Sequence, residues 1–294
     1  MRIGVTGASG MLGTALVPAL QGAGHEVVRI GRGPDAEVRW NPAAGLIDAA
    51  ACEGVEAFVH LAGANVGRRW TPARRREIRE SRVAGTTLIA RTAAGLAPRP
   101  RVLVCASAVG VYGNSGDAVC DESTPPGHDF LADVVRAWES SADAARVAGI
   151  RTVHLRFGVI LSRHGGALGR LLPVFRLGVG GCVGNGRQWM SWVSVDDAVG
   201  IVRFALEHRE LTGVVNATAP SPVTNAEFTT TLARVVHRPA LFPVPALALT
   251  LVLGEMAQAT LLASQRVMPR RLLSAGYEFR QATLEPALRA AVNE

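Results

Sequence analysis

The chain has 294 residues, enough for one large domain or two moderate ones with an ample core. Its hydrophobic fraction of 48% predicts a globular, soluble protein, and the longest apolar stretches, such as residues 247–253, are too short to span a bilayer. The net charge of +7 leaves two classes of partner open, a nucleic acid and an anionic small molecule.

The first segment is the most informative, because an apolar run at residues 3–5 meets a glycine-rich turn and an amphipathic stretch follows at once. This order predicts a strand, a phosphate-holding turn and a helix N-terminus that binds a dinucleotide diphosphate. An ordinary tight turn is the alternative. We expect the cofactor contacts of this segment to be made by Gly7, Ser9, Gly10, Met11, Leu12 and Gly13.

The second predicted strand, residues 26–30, bears on the choice of cofactor. An NAD-preferring fold places an acidic residue near the end of this strand, where it binds the ribose 2′-hydroxyl. Here Arg32 follows the strand, and a guanidinium suits a 2′-phosphate. We therefore predict NADP, and NAD less strongly. The alternative is a solvated Arg32 with Asp35 in the role of the acid.

A run of arginines occupies residues 68–82, within a helix predicted to begin near Thr71 and Pro72. A solvated basic helix is the plain interpretation. The sharper one is that Arg68 or Arg69 meets an anionic cofactor or substrate. Because no nucleic-acid-binding module is recognisable, we expect no nucleic-acid partner.

Further along the chain, predicted strands alternate with predicted helices. The strands are at 2–6, 26–30, 56–61, 101–106, 151–155 and 213–217, and the helices at 11–22, 72–95, 131–148, 196–208 and 225–236. The alternation predicts an α/β protein with a doubly wound parallel sheet of the Rossmann type. We expect a dinucleotide-binding domain at 1–165, to which the elements at about 192–220 return, and a smaller C-terminal α/β lobe at 166–191 and 221–294.

Cysteine and histidine usage points away from a metal site. The four cysteines lie far apart without a CxxC pair, and the seven histidines show no ligand spacing. We expect no metal, reduced thiols and a cytoplasmic location, with no membrane association. The N-terminus begins directly with a strand, so we expect no signal peptide.

Two strand ends resemble those of extended short-chain dehydrogenases: FVHLAG at 58–63 resembles the end of the fourth strand, and SAVGVYG at 107–113 that of the fifth. Later motifs are similar to an atypical YfcH-like epimerase subgroup, at residues 81–86, 186–192, 216–220, 253–256 and 266–272. The likeness covers essentially the whole chain. It implies an NAD(P) cofactor whose ribose lies along Leu61, Ala62 and Gly63, a small C-terminal domain, and a possible homodimer.

The chain departs from that superfamily at the catalytic positions. The Tyr-x-x-x-Lys pair of the wider superfamily falls on Leu131 and Val135, neither of which transfers a proton. The position of the hydroxyl partner falls on Ala108, one residue after Ser107, and Arg82 replaces the usual active-site Asn. The remaining catalytic candidates are Ser107 and Tyr112, and a structural hydrogen bond is the alternative for Tyr112.

Substrate contacts are expected beside the glycine-rich segment 178–186, where the family meets its substrate. The candidates are Arg187, Gln188 and Trp192, with a plain structural loop as the alternative. An arginine there suits a phosphate or carboxylate. For Arg156, a role on the cofactor side and a buried ion pair both stay open.

Several other features have plain structural interpretations. Residues 194–197 read as a helix cap, His60 as a core histidine, and the acidic pair at 121–122 as an exposed loop. The leucines of 247–253 are expected in the core, with an oligomer face as the alternative.

These observations predict an NADP(H)-binding oxidoreductase or epimerase that acts on an unidentified small molecule, anionic and perhaps of the nucleotide-sugar type. The alternative function is a catalytically silent NADP(H)-binding regulator or sensor, because the Tyr-x-x-x-Lys pair is absent.

Overall fold

The computed structural model describes residues 1–293, and its strands are mostly short. In chain order they are β1 (Arg2–Thr6), β2 (Glu26–Gly31), β3 (Val38–Asn41), β4 (Leu46–Ile47), β5 (Ala57–His60), β6 (Val102–Ala108), β7 (Val119–Cys120), β8 (Arg151–Phe157), β9 (Val159–Leu161), β10 (Trp189–Met190), β11 (Trp192–Ser194), β12 (Gly213–Ala217), β13 (Val223–Thr224) and β14 (Arg266–Val267).

Helices fill most of the chain between the strands. They are α1 (Met11–Gly22), α2 (Pro72–Gly95), α3 (Phe130–Ser140), α4 (Asp143–Val147), α5 (Gly166–Arg176), α6 (Val195–Glu207), α7 (Asn225–Val235), α8 (Ala246–Leu253), α9 (Arg270–Ser274) and α10 (Leu284–Asn293). Short 3₁₀ turns occur at Pro42–Ala44, Ala50–Cys52 and Val109–Tyr112, and a single π-helical turn occurs at Ala257–Leu261.

Eight strands form the central sheet in the order β12-β8-β6-β5-β1-β2-β3-β4. All neighbours are parallel except β4, which pairs antiparallel with β3. The strand order reverses between β1 and β5, and such a switch point opens a crevice at the carboxyl ends of the strands. The predicted doubly wound, Rossmann-type fold is confirmed.

Separate apolar cores cover the two faces of the sheet. One face packs against α1 and α6, and the other packs against α2 and α4. A third core, built mainly from α5, α7 and α10, lies in the C-terminal half of the chain. Among residues 1–293, no helix is both long enough and apolar enough to cross a bilayer.

The predicted central strands all form, as β1, β2, β5, β6, β8 and β12. The single helix predicted over 131–148 is wrong, because the chain breaks it into α3 and α4. The break coincides with Ser141, whose hydroxyl donates to the carbonyl of Trp138 at 2.6 Å. A serine that bonds nearby backbone in this way competes with continuation of a helix.

Helix α8 differs from the expectation for its leucines. None of its residues is buried, and Leu247 is 71% exposed. The expected core role of residues 247–253 is therefore wrong, and the alternative of an oligomer face, like the homodimer, stays a prediction.

A buried carboxylate fastens the C-terminal tail to the start of α6. Ser194 caps this helix as predicted, since its Oγ accepts the Asp197 N–H at 3.0 Å. The Asp197 side chain has no exposed surface, and it accepts the backbone N–H groups of Arg280 and Gln281 at 2.8 and 3.0 Å. It also accepts the hydroxyl of Tyr277 at 3.2 Å. One carboxylate thus organises residues 277–281.

We expect D197A to lower the free energy of unfolding by about 3 kcal/mol, because several buried donors lose a charged acceptor at once. The matched control is D196A in the same helical turn, where the side chain is partly exposed. That change should shift stability by less than about 1 kcal/mol. Urea unfolding followed by circular dichroism measures both, and equal small shifts would contradict the assigned role of Asp197.

Candidate functional site

The turn between β1 and α1 leaves no room for side chains. Gly7 has a φ of 70°, and a Cβ there would lie 2.9 Å from the backbone nitrogen of Ala62. A Cβ on Gly13 would lie 2.2 Å from the Gly7 carbonyl oxygen. Both glycines are therefore required for close contact between three backbone segments, the turn, α1 and the end of β5.

The start of α1 presents free donors to this turn. The helix has no capping side chain at Gly10 and no acidic residue in its first turn. The N–H groups of Met11, Leu12 and Gly13 have no acceptor outside the helix among residues 1–293. Together with the helix dipole, they form an anion-binding site of the kind that holds a diphosphate.

A buried threonine joins the ends of β1 and β5. The Thr6 hydroxyl accepts the N–H groups of Leu61 and Ala62 at 3.1 and 3.3 Å. Its oxygen also lies 2.7 Å from Nδ1 of His60. Because the hydroxyl already accepts twice, we assign its proton to the bond with Nδ1, so neutral His60 carries its own proton on Nε2.

His60 is a core histidine as expected, with one ring nitrogen left over. Its Nε2 has no hydrogen-bond partner among residues 1–293, and the ring packs edge-on against Trp40 with centroids 5.9 Å apart. Complete burial lowers the pKa of His60 to about 4, since the charged form loses its hydration. His60 therefore stays neutral and serves the backbone geometry of the site.

A cavity of about 1040 Å³ opens beside the glycine-rich turn. It is bordered by the turn, by the segment after β2, by the segment after β5 and by one face of α2. Arg32 and Asp35 both line it, as does Arg76 of α2. Neither Arg32 nor Arg76 forms an ion pair with another residue of 1–293, so both guanidinium groups are available to an anion.

The other expected cofactor contacts fall into two groups. Ser9, Ala62 and Gly63 line the cavity directly. Leu12 and Leu61 instead turn their side chains into the core beneath α1, so only their backbone can face a ligand. Near the helix start, Met11 lies against the backbone of Gly165 and Gly166.

The two catalytic candidates lie in a buried polar network. The Tyr112 hydroxyl donates to Oδ1 of Asn216 at 2.8 Å and accepts from Nη1 of Arg156 at 3.1 Å. The Ser107 hydroxyl donates to Oε1 of Glu139 at 2.6 Å. Both hydroxyls are thus engaged within the protein, which differs from the expected catalytic role and assigns them a structural one.

The centre of this network is the ion pair between Arg156 and Glu139, with an Nε to Oε1 distance of 2.8 Å. Burial works to raise the pKa of Glu139, but the hydrogen bonds and charge of Arg156 outweigh it and hold that pKa below its usual value. Burial likewise raises the pKa of the Tyr112 hydroxyl, against the opposing effect of Arg156. Tyr112 therefore stays protonated, which suits a structural donor better than a base.

The expected substrate residues are not brought together. Trp192 has no exposed surface, and its indole donates to the Ser221 carbonyl at 3.0 Å. The side-chain amide of Gln188 donates to the carbonyls of Val183 and Leu261 at 3.0 and 3.1 Å. These contacts correct the expected substrate roles of both residues, because their polar groups hold the loop together. Arg187 alone of the three is exposed.

Glu139 and Asn216 are the polar residues that sequence reasoning did not assign. Glu139 served only as a marker in the helix after β6, and Asn216 only as part of a family motif. The acidic pair at 121–122 is also more than an exposed loop. Asp121 pairs with Arg270 at 2.9 Å, and Glu122 accepts the backbone N–H of Asn216 at 3.0 Å.

Comparison with known proteins agrees with this geometry. The fold and the glycine-rich turn define the class of Rossmann-type nucleotide-binding proteins. The model of the NAD dependent epimerase/dehydratase family matches residues 3–217, and that of a domain of unknown function (DUF1731) matches residues 244–291. The chain belongs to the NAD-dependent epimerase/dehydratase family, and the resemblance to its YfcH-like members is confirmed.

Relatives span the same length. The chain is 41% identical over 290 residues to the epimerase family protein ML0860 of Mycobacterium leprae, which covers 97% of this chain and 94% of that one. A crystal structure of human epimerase family protein SDR39U1 (isoform 2) with NADPH has a TM-score of 0.91 and 36% identity, covering 100% of both chains. A UDP-glucose 4-epimerase of Thermus thermophilus in complex with NAD has a TM-score of 0.78 at 18% identity, covering 99–100% of neither chain's chemistry but 100% of this chain and 98% of that one, and shows the fold alone.

The buried His60 predicts a pH dependence of stability. Its pKa is about 4 in the folded protein, against an ordinary value of 6.5 in the unfolded chain. The unfolded state therefore takes up a proton first as the pH falls, so stability is full above pH 6.5 and declines towards pH 4. We expect the His60 contribution to reduce the free energy of unfolding by about 2 kcal/mol between pH 7 and pH 5.

Urea unfolding at both pH values measures this loss. H60Q removes the titrating ring and should show a smaller pH-dependent loss, even though its stability at pH 7 is lower. The control H164Q removes an exposed histidine and should keep the wild-type dependence. The same pH dependence in H60Q and wild type would contradict the assignment.

Proposed function

We propose that this protein binds NADP(H) and acts as an oxidoreductase or epimerase. The observation that carries the proposal is the anion site at the start of α1, bordered by the cavity that Arg32 lines. A diphosphate at the free N–H groups of Met11, Leu12 and Gly13 would extend one nucleoside into that cavity. The NADPH bound to human SDR39U1 supports the same choice.

Selection of the 2′-phosphate is assigned to Arg32. It directly follows β2 and lines the cavity without an ion-pair partner among residues 1–293. A guanidinium offers two parallel donors to a phosphate and has no carboxylate function towards a ribose hydroxyl. Asp35, which would suit NAD, lines the same cavity, so its competition with Arg32 is what the experiment must resolve.

The reaction class follows from the cofactor. When bound, a nicotinamide supplies hydride transfer, while the protein holds the reactants in place and controls protons. We propose that the substrate is a small anionic molecule, perhaps a nucleotide sugar. Arg187 is exposed and can meet such a molecule.

A silent NADP(H)-binding regulator is the second candidate. It is favoured by the apolar Leu131 and Val135 and by the engagement of Ser107 and Tyr112 within the protein. Incubation of the purified protein with NADPH and a panel of carbonyl compounds, followed at the nicotinamide absorbance, separates the two. Turnover of any compound supports the enzyme, and tight NADPH binding without turnover supports the regulator.

We expect R32E to weaken NADP binding at least about a hundredfold while changing NAD affinity less than about threefold, because repulsion replaces attraction at the 2′-phosphate alone. Isothermal titration calorimetry with both dinucleotides measures the ratio. R209E makes the same charge change at an exposed position outside the cavity and should leave both affinities unchanged. An equal loss for both cofactors in R32E would show that Arg32 is not the selector.

We expect G10V to weaken both dinucleotides about tenfold or more, because its side chain would occupy the approach to the first N–H groups of α1. The control G22A lies at the other end of the same helix, where a Cβ meets nothing within 4 Å. That variant should bind both dinucleotides normally. Unchanged affinity in a folded G10V protein would remove the turn from the binding site.

A further inference from the structure

One largely buried cation in the crevice takes no part in the site described so far. Arg82 lies on α2, and its guanidinium carbon would be 3.4 Å from a Cβ built on Gly63. Its Nη1 donates to the carbonyls of Ala64 and Ile78 at 3.0 and 3.1 Å. The guanidinium also lies over the ring of Trp138, with 4.9 Å to the centroid. These contacts fix the cation beside the segment that follows β5.

Arg82 has no counter-charge. Among residues 1–293, no carboxylate lies within ion-pair distance of it, whereas the buried Arg156 is paired with Glu139. Burial, and secondly the nearby positive charge of Arg74, lower the pKa of Arg82 to about 10, so it remains charged at neutral pH. Since burial of an unpaired charge is unfavourable, such a group is usually satisfied by an anion.

The hydrogen-bonding capacity of Arg82 is also only partly used. The Nη1 group makes both protein contacts, and Nε and Nη2 have no acceptor among residues 1–293. Neither of these two nitrogens is a buried, unsatisfied atom, so both retain access to the crevice. They form the edge of the guanidinium that binds a carboxylate or phosphate through two parallel hydrogen bonds.

The surroundings agree with an anion rather than a neutral ligand. Ser81 accepts the Ala64 N–H at 3.1 Å, so both backbone groups of Ala64 are held by adjacent residues of α2. Gly63, next to Arg82, is exposed and lines the cavity at the carboxyl end of the parallel strands. A ligand reaching past Gly63 would meet the free edge of Arg82.

We propose that Arg82 binds an oxyanion, a carboxylate or phosphate group of the substrate, beside Gly63. This proposal rests on the proposed function, because it places the substrate next to a bound dinucleotide. It names a substrate class for the same crevice and assigns recognition to α2 rather than to the loop that contains Arg187. The cofactor's own phosphates have the same chemistry, so the test separates the two sources.

Calorimetric titration of oxalate and of inorganic phosphate into the NADPH-saturated protein, at constant ionic strength, tests the proposal. We expect wild type to bind at least one of these probes and R82Q to bind it about tenfold or more weakly. R82K keeps the charge without the two-pronged edge and should lose a few-fold. The control R79Q changes an exposed arginine of the same helix and should match wild type.

NADPH affinity is measured in every variant, and thermal unfolding checks that each is folded. An NADPH affinity in R82Q within about twofold of wild type supports the substrate as the source of the oxyanion. A tenfold loss of NADPH affinity in folded R82Q overturns the proposal in favour of the cofactor's phosphates. Equal oxyanion binding by wild type and R82Q, or none by NADPH-saturated wild type, also overturns it.

If R82Q does not fold, R82K against R79Q decides the same question, and equal probe affinities in those two variants count against Arg82. Failure of the proposed function has a different signature, since wild-type protein would then not bind NADPH at all.

Discussion

The site depends on the close approach of three backbone segments at the carboxyl ends of β1 and β5. Gly7 and Gly13 allow that approach, because a Cβ on either would overlap backbone atoms of the neighbouring segment. The Thr6 hydroxyl then fixes the distance by accepting two N–H groups from the segment after β5. A side chain at either glycine would push the segments apart and remove the concave surface on which a diphosphate can lie.

A second constraint is electrostatic and lies on the face of the sheet covered by α3. Arg156 of β8 carries a buried charge, and Glu139 of α3 neutralises it through two hydrogen bonds of 2.8 and 2.9 Å. Tyr112 and Asn216 complete the network, so four segments of chain meet at one ion pair. Breaking it from one side would leave a buried charge, which is more unfavourable than the pair itself. This explains why Tyr112 and Ser107 serve structure although they lie near the expected reaction centre.

Sequence reasoning was most successful where the signal is local. The strand, turn and helix at the N-terminus follow from apolar periodicity and glycine spacing, and the Ser194 cap follows from adjacent residues. It failed where exposure depends on distant segments. The partner of Trp192 is the carbonyl of Ser221, and one partner of Gln188 is that of Leu261, 73 residues away.

The same limit applies to charge. The sequence places many arginines between 68 and 82, and nothing in their spacing separates those with partners from those without. In the structure, Arg74 pairs with Glu77 and Arg75 with Glu255, at 2.6 and 2.5 Å. Arg82 has the same composition around it but no carboxylate, because its side chain turns inward beneath Gly63. Only the fold distinguishes a solvated basic helix from a helix that also carries a binding cation.

The C-terminal part of the chain contributes to the crevice through α2 and the loop before it. Arg69 donates to the carbonyls of Leu251 and Val252 at 3.2 Å each, and Arg75 pairs with Glu255. Beneath these polar contacts, Trp70 and Met256 share one apolar cluster. Because α2 also carries Arg82, the tail and the proposed oxyanion site are attached to one rigid helix. A displacement of the tail from this loop would therefore change the surroundings of Arg82 before it changed the glycine-rich turn, which is held by contacts within the sheet itself.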